Sequence, residues 1–181
     1  MRKNKETTMK KLLTTLSAIA IGIAAQAASV NWQSNAIQSS PDTAVAAGWL
    51  IQIYSSTVSY TYDSAKDGSI AAWATGATVA AGTSFRASGT GTQDNGTTAS
   101  YYAVIYDAAS VAAAKNYIVS DAVSVTINAA GSTGNLSFGA MTATTAANKF
   151  LNSSWTAVPE PTSGLLMLLG MAGLALRRRR A

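Results

Sequence analysis

The chain has 181 residues, 48% apolar and only 12% charged, which suits one domain with processing segments attached. Its net charge of +5 sits at the two ends, on Arg2, Lys3, Lys5, Lys10 and Lys11 and on Arg177, Arg178, Arg179 and Arg180. Between Ala28 and Ala157, Lys66, Arg86, Lys115 and Lys149 stand against Asp42, Asp63, Asp67, Asp94, Asp107 and Asp121; four bases minus six acids is −2, which argues against a nucleic-acid surface.

There is no cysteine and no histidine. Disulfides, thiolate catalysis and thiolate metal sites are excluded, and so is a Ser-His-Asp arrangement. No cofactor and no metal are expected.

The N-terminal stretch reads as an address. A basic region precedes an apolar run from Leu12 to Ala24, and Ala25-Gln26-Ala27 has the small-x-small pattern that a signal peptidase reads. Residues 1–27 are therefore expected to be a signal peptide, with Ala25 and Ala27 flanking the recognition pattern and cleavage before Ala28. The run spans about 13 residues, short of the roughly 20 that cross a membrane. Met9 is an alternative start to Met1.

Residues 28–157 form the body. "GWLIQIYSS" and "SYYAVIYDAAS" are continuously apolar and predict central strands covered on both faces. "STVSYTYDS" alternates, with Val58, Tyr60 and Tyr62 on one face. "DAVSVTINAAG" places Val123, Val125 and Ile127 inward, and "GNLSFGAM" does the same for Leu136, Phe138 and Ala140. Trp32, Trp73 and Phe85 mark weaker strand candidates.

Asp67-Gly68, Gly89-Thr90-Gly91 and Asp94-Asn95-Gly96 read as turns, with Asn95-Gly96 suited to a tight hairpin. Gly131 to Gly134 reads as another loop. Helix signals are confined to a turn that Asp107 would cap and to "TTAANKFL". The expected fold is all-β: a single sandwich of jelly-roll or Ig-like type, flanked by an N-terminal signal helix and a C-terminal hydrophobic helix. A β-solenoid is the alternative, although no fixed repeat is present and Thr142-Ala143-Thr144 stands alone.

The body offers little catalytic chemistry. Asp63-Ser64-Ala65-Lys66-Asp67-Gly68 places two carboxylates near a glycine, but it departs from an EF-hand loop at the ligand positions, and a solvated hairpin loop is the plainer reading. Six scattered aspartates supply no evident acid–base pair. Tyr101 and Tyr102, being adjacent, should face opposite sides of their strand. Exposed tyrosines on a sandwich can stack on sugar rings, whereas buried ones are core. Asn95, Asn135 and Asn152 begin chance glycosylation-like triplets.

The tail, residues 158–181, is the second address. Gly164 to Leu176 is apolar and would span roughly 20 Å as a helix, short of the about 30 Å of a hydrocarbon core. Thr162 and Ser163 can lengthen it to about 162–176, Pro161 suits its first turn, and the terminal arginines can snorkel. The positive-inside rule puts Arg177, Arg178, Arg179 and Arg180 in the cytoplasm and the body outside.

Val158-Pro159-Glu160-Pro161, then a Leu/Gly/Ala/Met helix, then an arginine cluster, resembles the PEP-CTERM sorting signal of Gram-negative bacteria. The resemblance covers the tail alone. It implies processing near the Pro-Glu-Pro by an exosortase, a membrane-embedded transpeptidase-like enzyme, and delivery to the envelope or exopolysaccharide. Pro159 and Pro161 keep that segment extended and accessible.

The sequence thus points to an exported, non-enzymatic envelope or matrix protein. Its expected partners are signal peptidase, exosortase and the membrane. The alternative is a carbohydrate-binding surface module with exopolysaccharide as its partner.

Overall fold

The computed structural model describes residues 27–128, 131–141, 150 and 153–159. Among these residues ten strands form two sheets. The smaller sheet has the order β4(Val79–Ala81), β5(Ser84–Asp94), β1(Ala27–Ile37), β9(Gly134–Ala140). The larger runs β10(Thr156–Ala157), β7(Asn116–Val119), β6(Thr98–Tyr106), β2(Leu50–Ser55), β3(Ala74–Ala77), with β8(Val123–Thr126) also on β6. Every pair is antiparallel except β1 with β9, where Trp32 sits beside Leu136 in a parallel register.

Alternation builds the core. In β1 the inward Ala28, Val30 and Trp32 are buried while Ala27, Ser29, Asn31 and Gln33 are exposed. From the larger sheet Ile51, Ile53, Tyr101, Ala103, Ile105 and Ile118 meet them, and Val125, Ile127, Leu136 and Phe138 complete one shared cluster. Trp155 closes on Trp49 edge-to-face, with ring centroids 5.8 Å apart.

β2 and β6 are the central strands that their apolar runs imply, and Tyr101 to Tyr106 are all buried. Tyr101 and Tyr102 do take opposite faces, and neither is exposed. The inward sets of β8 and β9 also follow the sequence pattern, although Ala140 is only half-buried.

Three sequence expectations are corrected. Gly89-Thr90-Gly91 is not a turn but the middle of β5. Its glycines face inward because aromatic rings lie against them: a Cβ at Gly89 would sit 2.8 Å from Trp32 Cζ2, and one at Gly91 would strike Trp73. Asn95-Gly96 does turn the chain, with Gly96 at φ 74°, but it is no hairpin, since β5 and β6 belong to different sheets. The turn is held instead by Ile127, whose carbonyl accepts from the Gly96 N–H and whose N–H donates to the Thr97 carbonyl.

"STVSYTYDS" is not a strand either. It turns and enters a short helix, α1(Tyr62–Lys66), whose N-cap Thr61 accepts from the Ser64 N–H. Trp73 lies just outside β3, whereas Trp32 and Phe85 lie in strands. The segment after Asp107 makes a single 3-10 turn, Val111–Ala113. "TTAANKFL", residues 144–151, lies outside the described residues except for Phe150.

Candidate functional site

The outer face of the larger sheet carries a second cluster. Tyr54 from β2, Tyr102, Val104 and Tyr106 from β6, Tyr62 from α1, Val111 from the 3-10 turn and Ala114 just after it are its buried members. Tyr60 and Tyr117 are half-buried against them. The rings contact one another: Tyr54 stacks on Tyr102 at 5.8 Å, and Tyr62 on Tyr117 at 5.9 Å. The Lys66 ammonium lies 5.9 Å from the Tyr62 ring centroid.

Their hydroxyls are mostly engaged. Tyr62 donates to the Val111 carbonyl and Tyr102 to the Val58 carbonyl, Tyr54 reaches Gln52, and Tyr60 pairs with Tyr106. Burial pushes the Tyr54, Tyr60, Tyr62, Tyr102 and Tyr106 phenols above their ordinary value, and the Tyr60 hydroxyl raises Tyr106 further. Val58, Tyr60 and Tyr62 therefore do share one destination, though not as a strand.

Beside this cluster the chain makes its last described turn of structure. Thr156 and Ala157 pair with Tyr117 and Asn116, and the Val158 N–H donates to the Lys115 carbonyl at 2.8 Å. The Val158 side chain packs against this cluster, and Pro159 follows, exposed. Of the sorting residues read from the sequence, Val158 and Pro159 are thus placed at the edge of the larger sheet. Glu160, Pro161, Arg177, Arg178, Arg179 and Arg180, with the apolar helix, lie outside the described residues. So does Ala25. Ala27 opens β1, exposed and paired with Asp94; Ala28 is buried and paired with Gln93.

The β7 edge on which β10 rests is positioned by Asp107. Its carboxylate accepts from the Lys115 and Asn116 N–H groups, from Asn116 Nδ2 and from Ser40 Oγ, all at 2.8–2.9 Å. Burial pushes this carboxyl up, and the hydrogen bonds outweigh it, holding it below its ordinary value. The sequence offers Asp107 as the cap of a turn or as part of a loop; its carboxylate instead clamps two loops and the start of β7 together.

Asp63 lies in the first turn of α1, and Asp67 is its C-cap. Asp67 accepts from the Ser69 hydroxyl and N–H, which hold it below the ordinary carboxyl value. Among the described residues no group of three or more acidic side chains stands together as a metal site. No described helix is long and apolar enough to cross a membrane.

No curated protein and no solved structure matches the chain. One family model does, over residues 157–180, and its description is the PEP-CTERM protein-sorting motif. The match begins at Ala157, the last residue of β10. The tail of this chain is a PEP-CTERM protein-sorting motif.

Proposed function

We propose that this is an exported, non-catalytic protein of the cell envelope or extracellular matrix, sorted through its tail by an exosortase. The observation that carries the reading is the motif match at residues 157–180. In this reading residues 1–27 are a signal peptide cut before Ala28, and residues 28–157 are a β-sandwich of jelly-roll or Ig-like type. Residues 158–181 supply the Pro-Glu-Pro segment, a hydrophobic helix and a cytoplasmic arginine cluster. The two-sheet core supports the sandwich. The non-catalytic role is supported by the way two body carboxylates are spent: Asp107 on loop closure and Asp67 on Ser69.

Intact mass of the native protein, taken from its own envelope and matrix fractions, tests the reading. The expected species begins near Ala28 and lacks the residues after the Pro-Glu-Pro. A membrane-bound species that keeps Arg177 to Arg180 makes the tail a plain anchor and overturns the sorting reading.

A second reading, a saccharide-binding surface module, is favoured by one feature, the groove beside the tyrosine cluster. Among the described residues no row of exposed aromatics of the kind that typifies a sugar platform is present; Tyr54, Tyr62, Tyr102 and Tyr106 are buried.

A further inference from the structure

The bond that signal peptidase is expected to cut, between Ala27 and Ala28, lies inside the folded body and not ahead of it. β1 begins at Ala27, and its ladder with β5 pairs Ala27 with Asp94, Ala28 with Gln93, Ser29 with Thr92 and Val30 with Gly91. The Ala28 side chain is 3% exposed and belongs to the core shared by the two sheets, as does Val30. From Val30 onward β1 is flanked by β9 as well, so it is an internal strand rather than an edge.

The partner side of the ladder is anchored where the bond lies. Gln93, opposite Ala28, is buried. Its Nε2 donates to the Thr97 and Val125 carbonyls, and its Oε1 accepts from the Tyr101 hydroxyl. Thr92, opposite Ser29, accepts at its carbonyl from Trp73 Nε1 at 2.7 Å. The Trp73 ring rests on Tyr101 with centroids 4.2 Å apart, and it fills the space that a Cβ at Gly91 would need. These contacts tie the end of β5 to β6 and β8, so residues 27–30 pair with a strand that is itself held in the core.

A protease holds its substrate extended, through the same backbone groups that a strand gives to its neighbours. A chain already paired must first be withdrawn from its sheet. To place Ala27 and Ala28 in a cleft, with the residues that follow, the fold would give up the first rungs of the β1–β5 ladder and bring Ala28 and Val30 out of the core. Cleavage of the folded chain then proceeds from that opened minority alone. The chain order leaves an interval in which the bond is free. Ala28 and Gln93 are 65 positions apart (93 minus 28), so β1 lacks its β5 partner until that length has emerged and the non-local contact has formed.

We infer that the fold closes its own signal-peptidase site: the Ala27–Ala28 bond is cut before β1 pairs with β5, and a chain that folds first stays a precursor held by its N-terminal apolar run. The inference rests on the reading of residues 1–27 as a signal peptide. It adds an order of events that the mass of the mature protein does not report.

The test is cell-free synthesis of the full chain in detergent micelles, with purified bacterial signal peptidase present from the start or added once folding is complete. A cooperative thermal transition marks completion, and intact mass reads the products. Peptidase present from the start should release a species beginning at Ala28. Peptidase added late should cut at least about a hundredfold more slowly, in proportion to the small population with the first rungs open.

Two variants show that the fold is what protects the bond. A flexible Gly/Ser spacer inserted between Ala28 and Ser29 carries the bond clear of the ladder, and late addition should then match early addition. Val30→Asp puts a charge into the core and denies β1 its place, with the same result. Late cleavage of the folded wild type at the early rate overturns the inference and leaves the signal-peptide reading standing. Late resistance in the spacer variant also overturns it, because the micelle and not the fold would then hide the bond. No cleavage on early addition removes the signal-peptide reading, and the inference with it.

Discussion

At the residue scale, two side chains show how much a single position decides. Gly89 could be replaced by alanine in an ordinary strand at a gain in β propensity. Here the new Cβ would lie 2.8 Å from Trp32 Cζ2 and 2.9 Å from Nε1, and the ring is 1% exposed with nowhere to retreat. Gly89→Ala should therefore destabilise by about 1–3 kcal/mol through overpacking. Urea unfolding at an unchanged m-value measures this, and an unchanged midpoint would show that the ring has room. Sequence alone presents Gly-Thr-Gly as a turn because glycine is the commonest turn residue. The deciding fact is Trp32, far earlier in the chain and paired with Gly89 across the β1–β5 ladder. Asp107 is the second case. Asp107→Ala leaves the Lys115 and Asn116 N–H groups and Asn116 Nδ2 short of an acceptor, a loss of about 3 kcal/mol. Its carboxyl is lowered in the fold, so its contribution is present above the unfolded value of about 3.9 and lost as pH falls through the folded value. The stability gap between wild type and Asp107→Ala should be full at neutral pH and narrow in acid. A gap of constant width would remove the carboxylate from the account.

At the element scale, strands were legible where burial follows a simple period. The continuous runs of β2 and β6 became covered strands, and the alternation of β8 and β9 set their inward faces. Period 2 failed over residues 56–62, where Val58, Tyr60 and Tyr62 gather on one cluster by way of a turn and α1. Alternation there records a shared destination, and the helix cap at Thr61 overrides the strand. The candidate site was legible in its motif and not in its setting. Nothing in Val158-Pro159 announces that Val158 packs against a cluster gathered from several segments of the chain. β10 is two exposed residues long, so its hold on β7 is weak. An extended substrate entering a processing enzyme has to leave that edge first. Val158→Asp should release it: amide exchange at residues 156–158 accelerates, while global stability changes by no more than about 1 kcal/mol. In the native cell, pulse-chase labelling should show processing at least as fast as in wild type. Slower processing would mean that the docked edge is itself recognised.

At the scale of the whole molecule, the two-sheet core was readable from strand number and spacing. Sheet membership was not, because an Asn-Gly turn looks the same whether it joins neighbours or crosses between sheets, and the parallel β1–β9 pair has no local signature. Composition nevertheless dictates one global property. The chain has no histidine, so its stability has no side-chain titration to follow near neutrality. On the acid side the lowered Asp107 governs. On the alkaline side the tyrosines do: burial raises Tyr54, Tyr60, Tyr62, Tyr101, Tyr102 and Tyr106. A phenol raised in the fold stays protonated while its unfolded counterpart ionises. Its contribution is therefore complete below the unfolded value of about 10 and lost as pH rises beyond it. Unfolding free energy should be flat from about pH 5 to 9, fall in acid, and fall more steeply above about pH 10, where several tyrosines act together. Chemical denaturation across that range, with tyrosinate absorbance read alongside, should show ionisation and unfolding arriving in one step. Phenols that ionise well before the fold is lost would mean that the cluster is open to water, and the packing described for the outer face of the larger sheet would be wrong.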